Sequence, residues 1–162
     1  MKRAVVFFLF IFVCTLSSAW AKTEAIMVNH KEAKIRNGPG TEYTVLWRPR
    51  LYTPLEVLAR YKEWYAVRDS EADVGWIHKS GIQKKKGAII TGKYLNVRSD
   101  PSLDARILFQ APKNYTFKVV ETKKEWYRVK DPDGDEGWVF KKGVWDGTKP
   151  PKIKKKAKEK KK

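Results

Sequence analysis

The residues able to do chemistry are few. His30 and His78 are the only histidines, and Cys14 is the only cysteine. Zinc needs three or four convergent ligands, which two histidines do not supply. Two acidic runs stand out, Asp69, Glu71 and Asp73, and then Asp131, Asp133, Asp135 and Glu136. Carboxylates at every second position are a calcium-loop feature, but such a loop also needs a bidentate Glu further on, and neither run has one. Each run reads instead as turn chemistry, in which Asp side chains bond nearby backbone. The remaining functional supply is aromatic, with seven Trp, seven Tyr and seven Phe. Exposed tryptophans mark recognition surfaces, and also cover small cores. The inventory therefore predicts a chain that is not an enzyme, takes no cofactor and holds no metal.

The elements that carry these residues are written twice. KEWYAVRDSEADVGWIHKSG (residues 62–81) returns as KEWYRVKDPDGDEGWVFKKG (residues 124–143), an offset of 62. The offset aligns Ile35 with Val97, Arg36 with Arg98, Pro39 with Pro101, Leu46 with Leu108 and Trp47 with Phe109. Upstream, Ala25–Arg36 resembles Ala88–Arg98 with one residue inserted. Two copies are too few for a solenoid, so each unit of about 60 residues must close on itself.

Within a unit the pattern is short and β-like. Leu55, Val57 and Ala59 alternate, as Phe117 and Val119 do. In the Trp64–Arg68 and Trp126–Lys130 segments, alternation turns Tyr65, Val67 and their counterparts inward. Trp64 and Trp126 then face out, and Ala66, Arg128, Arg68 and Lys130 face water. Ile77 and Val139 point inward, which leaves Trp76 and Trp138 across the outer surface. DPDGDEG (residues 131–137) is a hairpin turn in which Gly134 suits a left-handed conformation; Ala72 stands at the matching point and predicts a less ideal turn. Gly75 and Gly137 start the next strand where a Cβ would crowd a neighbour. No segment carries helical periodicity, so the class is all-β.

The ends differ from the middle. Lys2 and Arg3 precede a thirteen-residue apolar run, and Ala19-Trp20-Ala21 supplies a small-x-small cleavage pattern. This reads as a signal peptide over 1–21, since a membrane span needs ~20 apolar residues. Cleavage after Ala21 removes Cys14 and leaves no transmembrane span in the mature protein. The net charge of +17 is concentrated at the other end, where residues 149–162 hold nine lysines against Glu159. That tail (148–162) is expected to be disordered. Lys154, Lys155, Lys156, Lys158, Lys160, Lys161 and Lys162 form an electrostatic tether for an anionic surface. Export disfavours nucleic acid as a partner.

The opening Arg36-x-Gly38-Pro39-Gly40, the strand Val45-Leu46-Trp47, the Trp64 strand and the ending Gly75-Trp76-Ile77-His78 together resemble a bacterial SH3-like (SH3b) domain. The second copy resembles it too, departing at Asp100 and Ser102, where the first has Gly38 and Gly40. The resemblance implies two tandem five-stranded SH3-like barrels, at 22–84 and 87–147. It further implies noncatalytic binding of peptidoglycan or an envelope protein, in the periplasm or outside the cell. Trp47, Trp64, Trp76, His78, Trp126 and Trp138 are the candidate ligand residues. Eukaryotic SH3 domains carry Pro and Tyr where this chain has His78 and Gly81, a departure that points away from Pro-x-x-Pro peptides. A structural adaptor that binds protein and no glycan is the alternative.

Overall fold

The structure, a computed structural model, describes residues 23–151. The expected signal peptide, Cys14 and the tail lysines from Lys154 to Lys162 lie outside the described residues. The fold is all-β, two seven-stranded sheets in sequence. The first holds β1 (Ala25–Val28), β2 (Ile35–Arg36), β3 (Val45–Trp47), β4 (Pro54–Tyr61), β5 (Trp64–Arg68), β6 (Val74–His78) and β7 (Ile82–Gln83), in the order β3-β2-β6-β5-β4-β1-β7. The second holds β8 (Gly87–Ile90), β9 (Tyr94–Arg98), β10 (Ile107–Pro112), β11 (Thr116–Lys123), β12 (Trp126–Lys130), β13 (Glu136–Phe140) and β14 (Val144–Trp145), in the matching order. Five strands per unit were expected. Two-residue pairings such as β2, β7 and β14 bring the count to seven.

Each sheet wraps around one core. In the first, Ile26, Val28, Ile35, Leu55, Val67 and Ile77 are buried together. Trp47 from one edge strand and Ile82 from the other both pack against that cluster. Strands at opposite ends of a sheet reach one core only if the sheet curls. The second core repeats the plan with Ile90, Val97, Phe117, Tyr127, Val129 and Val139.

The inward assignments of Tyr65, Val67, Ile77 and their counterparts agree with these cores. The glycine argument holds as well. A Cβ on Gly75 would overlap the Ile35 side chain and lie 3.0 Å from the Arg36 carbonyl, and one on Gly137 would meet Val97 and the Arg98 carbonyl in the same way.

Three expectations need correction. Ala59 is exposed, because the register slips between Val57 and Ala59, and again between Val119 and Glu121. The bulge leaves Leu58 and Val120 unpaired and reverses the alternation beyond it, so Ala59 pairs with Ala66 on the outer face. Ala66 lies on that face but is covered, and Arg68 pairs with the buried Glu56 through two hydrogen bonds of 2.8 and 2.9 Å. Finally, no residue is inserted upstream. Ile26 pairs with Leu55 as Ala88 pairs with Phe117, so the offset of 62 already holds in the first strand.

The domains pack face to face. Ile26 and Val28 serve their own core, so Met27 between them points away, yet Met27 is fully buried. Gly87 lies against it: a Cβ there would sit 3.0 Å from Met27 Cγ and would overlap the Tyr52 carbonyl. The Thr116 hydroxyl donates to the Leu51 carbonyl at 2.7 Å, and Lys113 pairs with Glu71 at 2.9 Å. Gly147 also crosses back, with Ala25 and Leu55 within reach of a Cβ. The segment assigned to the tail begins ordered. Thr148 bonds Asp146, the Trp145 indole donates to the Lys149 carbonyl, and Pro151 is buried.

Both hairpin turns close as the sequence indicates. Asp131 Oδ1 accepts from the amides of Asp133, Gly134 and Asp135, and Asp69 Oδ1 accepts from those of Glu71 and Asp73. Burial holds the Asp69 carboxyl above its ordinary range, against the pull of those two amides. Gly134 has φ +105° and Ala72 has φ +73°. Ala72 thus bears a left-handed conformation that costs a residue with a Cβ about 1–2 kcal/mol. Ala72→Gly is expected to stabilise the protein by about 1 kcal/mol and Gly134→Ala to destabilise it similarly, read from urea midpoints.

A second prediction concerns alkaline pH. Burial, then the hydrogen bond to Asp131, pushes the Tyr115 hydroxyl up to about 12. Burial and the bond to Asp146 raise Tyr127 as well. Asp146 itself is held low despite burial, by Thr148, Tyr127 and Lys86. Unfolded tyrosine titrates near ~10. Above that pH the folded chain retains protons that the unfolded chain has released, so stability present below it is lost as pH rises. Tyr115→Phe and Tyr127→Phe should flatten that alkaline decline in urea midpoint relative to the parent.

Candidate functional site

A groove of about 680 Å³ lies on the first domain. One wall is the end of β6 with its 3₁₀ turn (Lys79–Gly81), and beside it stands the start of β5. The opposite wall comes from the β1–β2 loop and the Pro39–Glu42 segment of the β2–β3 loop. Core residues Ala33 and Ile77 reach the floor.

Cross-strand register builds its aromatic side. Trp64 stands opposite His78 in the β5–β6 ladder, and partners in a ladder share a face. Their rings meet edge to face with centroids 5.2 Å apart. His78 Nδ1 accepts from the Ser80 amide and lies 2.8 Å from Ser80 Oγ. His30 Nδ1 likewise accepts from the Glu32 amide at 3.1 Å. With Nδ1 accepting, the proton of each neutral imidazole sits on Nε2. The groove therefore combines one indole, two imidazole donors, the carboxylates of Glu32, Glu42 and Glu63, and the cations of Lys34 and Arg36. Glu63 is paired with Lys79.

Arg36 shapes the rim and is tied to its own loop. Its guanidinium donates to the Tyr43 carbonyl within its own loop, as Arg98 donates to the Ala105 carbonyl at 2.6 Å in the second copy. Arg36 and Arg98 are matched in the repeat because both pin the same loop.

The structure brings two of the six candidate ligand residues together, Trp64 and His78. Trp47 packs half-buried against its own core, as Phe109 does in the second. Trp76 and Trp138 lie on the outer faces opposite Arg36 and Arg98, and Trp76 does not line the groove. Trp126 was expected to face out like Trp64, yet it is only 8% exposed. Phe140 stands where the first domain has His78, and its ring packs on Trp126 with centroids 5.2 Å apart. Trp64, beside the imidazole, is only half-buried.

The missed groove residues are His30, Glu32, Glu42, Glu63 and Ser80. For three of them the signal was present as divergence between copies, since Gly92, Tyr94 and Lys142 stand where the first domain has His30, Glu32 and Ser80. Truncation should separate the two tryptophans. Trp126→Ala is expected to cost about 3–4 kcal/mol and Trp64→Ala about 1–2 kcal/mol, measured by urea unfolding.

Two family models match the chain, each described as a bacterial SH3 domain, one over residues 29–84 and one over 93–144. Among known proteins, "Putative N-acetylmuramoyl-L-alanine amidase YrvJ" from Bacillus subtilis (strain 168) is 23% identical over 141 residues. That match takes in 76% of this chain and 27% of the relative, so the chain spans about a quarter of the relative's length. Solved structures with a partial likeness include NlpC2 from Trichomonas vaginalis, at 14% identity and a TM-score of 0.36, covering 78% of this chain and 49% of that one. A second is an NlpC/P60 family protein from Bacillus cereus ATCC 10987, at 12% and 0.37, covering 75% and 55%. Structural likeness at that level carries no argument about chemistry. The relative's name does correct one expectation: the reading of this chain as not an enzyme, made from its residue inventory, is overturned by kinship with a protein described as an amidase. The groove, the repeated cores and the two matched segments lead to one assignment: the chain belongs to the bacterial SH3 domain family and carries two such domains in tandem.

Proposed function

We propose that the chain binds the bacterial cell wall, with peptidoglycan as the ligand and the first-domain groove as its site. The observation that carries this reading is the asymmetry of the copies. One domain presents Trp64 beside His78 in an open groove, and the other buries Trp126 under Phe140. An indole face flanked by imidazole donors and carboxylates suits a neutral, hydroxyl- and amide-rich ligand, because apolar sugar faces stack on the ring while polar edges find partners. The relative described as an amidase fits the same setting and supports a role beside wall cleavage. An envelope or extracellular location goes with that role, reached through the signal peptide at 1–21. The lysine tail adds attraction to anionic wall or membrane surfaces, which salt screens.

Co-sedimentation with purified peptidoglycan tests the reading, with released soluble fragments assayed in the same samples to register any cleavage. The parent and Trp126→Phe are expected to sediment at low and high salt, and Trp64→Ala with His78→Ala to lose about tenfold in affinity at both. Binding that vanishes with salt, or survives the groove changes, would assign retention to the charged tail. Absence of binding under every condition would turn the search to an envelope protein.

A further inference from the structure

The offset that relates the two copies also relates two corners of the junction between them. At one corner the β5–β6 turn of the first domain meets the β10–β11 turn of the second, and Glu71 pairs there with Lys113. At the reciprocal corner Asp133 takes the place of Glu71, and Leu51 takes the place of Lys113. Leucine offers no charge, so this corner stays open as a cleft of about 420 Å³.

Its lining is strongly cationic. Lys31, Arg48 and Arg50 reach it from the first domain, against the single carboxylate of Asp133 at the rim. All three cations are exposed, and among the described residues their side chains have no hydrogen-bond or ion-pair partner. Pro49 between the arginines is buried, which anchors the segment that carries them. The floor joins both domains through the Thr116 hydroxyl on the Leu51 carbonyl. Tyr115 lies beside it, its hydroxyl held by Asp131, whose other oxygen is already filled by three amides. The cleft exists only while the domains are docked.

We propose that this cleft is a binding site for an anionic group, carboxylate or phosphate, on a ligand held jointly by the two domains. Two unpaired guanidiniums can take such a group through bidentate, charge-assisted bonds, which are the stronger kind. The site is separate from the first-domain groove and does not depend on what that groove binds.

The test is residue-resolved NMR titration of the whole chain with inorganic phosphate and, separately, with succinate, at one low ionic strength. Saturable shifts are expected at the amides of Arg50, Leu51, Tyr115 and Thr116 with at least one probe; which probe responds identifies the group. Arg48→Gln with Arg50→Gln should weaken that binding about tenfold or more, and Asp133→Asn should strengthen it about threefold. Lys113→Gln, at the closed corner, should leave it within about twofold. Shifts confined to the lysine tail, equal affinity in the double arginine variant, or no saturable shift with either probe would overturn the site.

Discussion

The packing of one domain's first strand against the other's is the contact on which the architecture rests. A unit of about 60 residues buries only a modest share of its surface, and each copy here leaves its first strand apolar on both faces. Ile26 and Val28 fill the first barrel while Met27 points out of it; Ile90 fills the second while Ile89 points out. Each outward side chain needs cover, and the neighbouring domain provides it. Gly87 is a consequence, because any side chain there would strike Tyr52 and Met27. Lys86 then falls beside Asp146 and Tyr127, where its charge adds to the Thr148 and Tyr127 hydrogen bonds that hold this carboxyl low against burial.

Docking two copies in this way frees the rest of each to diverge. The residues that hold a barrel together are kept in both: the strand glycines, the arginine that pins the long loop, the inward Tyr and Val, and the Asp that closes the hairpin. Among what differs are the surroundings of the Trp64 and Trp126 rings. His78 stands beside the half-buried Trp64 and Phe140 beside the buried Trp126, and the loop residues around each ring differ as well. A duplicated module can thus keep one binding domain and one supporting domain on the same scaffold.

Much of this could be read from the sequence because periodicity and repetition report on packing. Tyr65, Val67, Ile77 and Gly75 were placed by alternation and by their twins. What escaped had physical reasons. The bulges at Leu58 and Val120 break the alternation without changing composition, so Ala59 looked inward. The first strand was read one residue out of register because Ala-Ile and Ile-Ile look alike when shifted by one. Trp126 was taken for a surface residue since strand parity fixes a side and not whether a neighbour covers it. The groove's polar residues come from loops and turns separated in sequence, and only the fold gathers them.

If one domain binds while its twin supports, ligand must engage the Trp64–His78 groove and leave the matching surface of the second domain untouched. Hydrogen–deuterium exchange of the whole chain, with and without soluble peptidoglycan fragments, reads both surfaces at once. Added protection is expected in residues 30–34 and 78–81, with the matching segments 92–96 and 140–143 unchanged. Protection confined to the second domain or the lysine tail, with the groove segments unaffected, would contradict that division of labour.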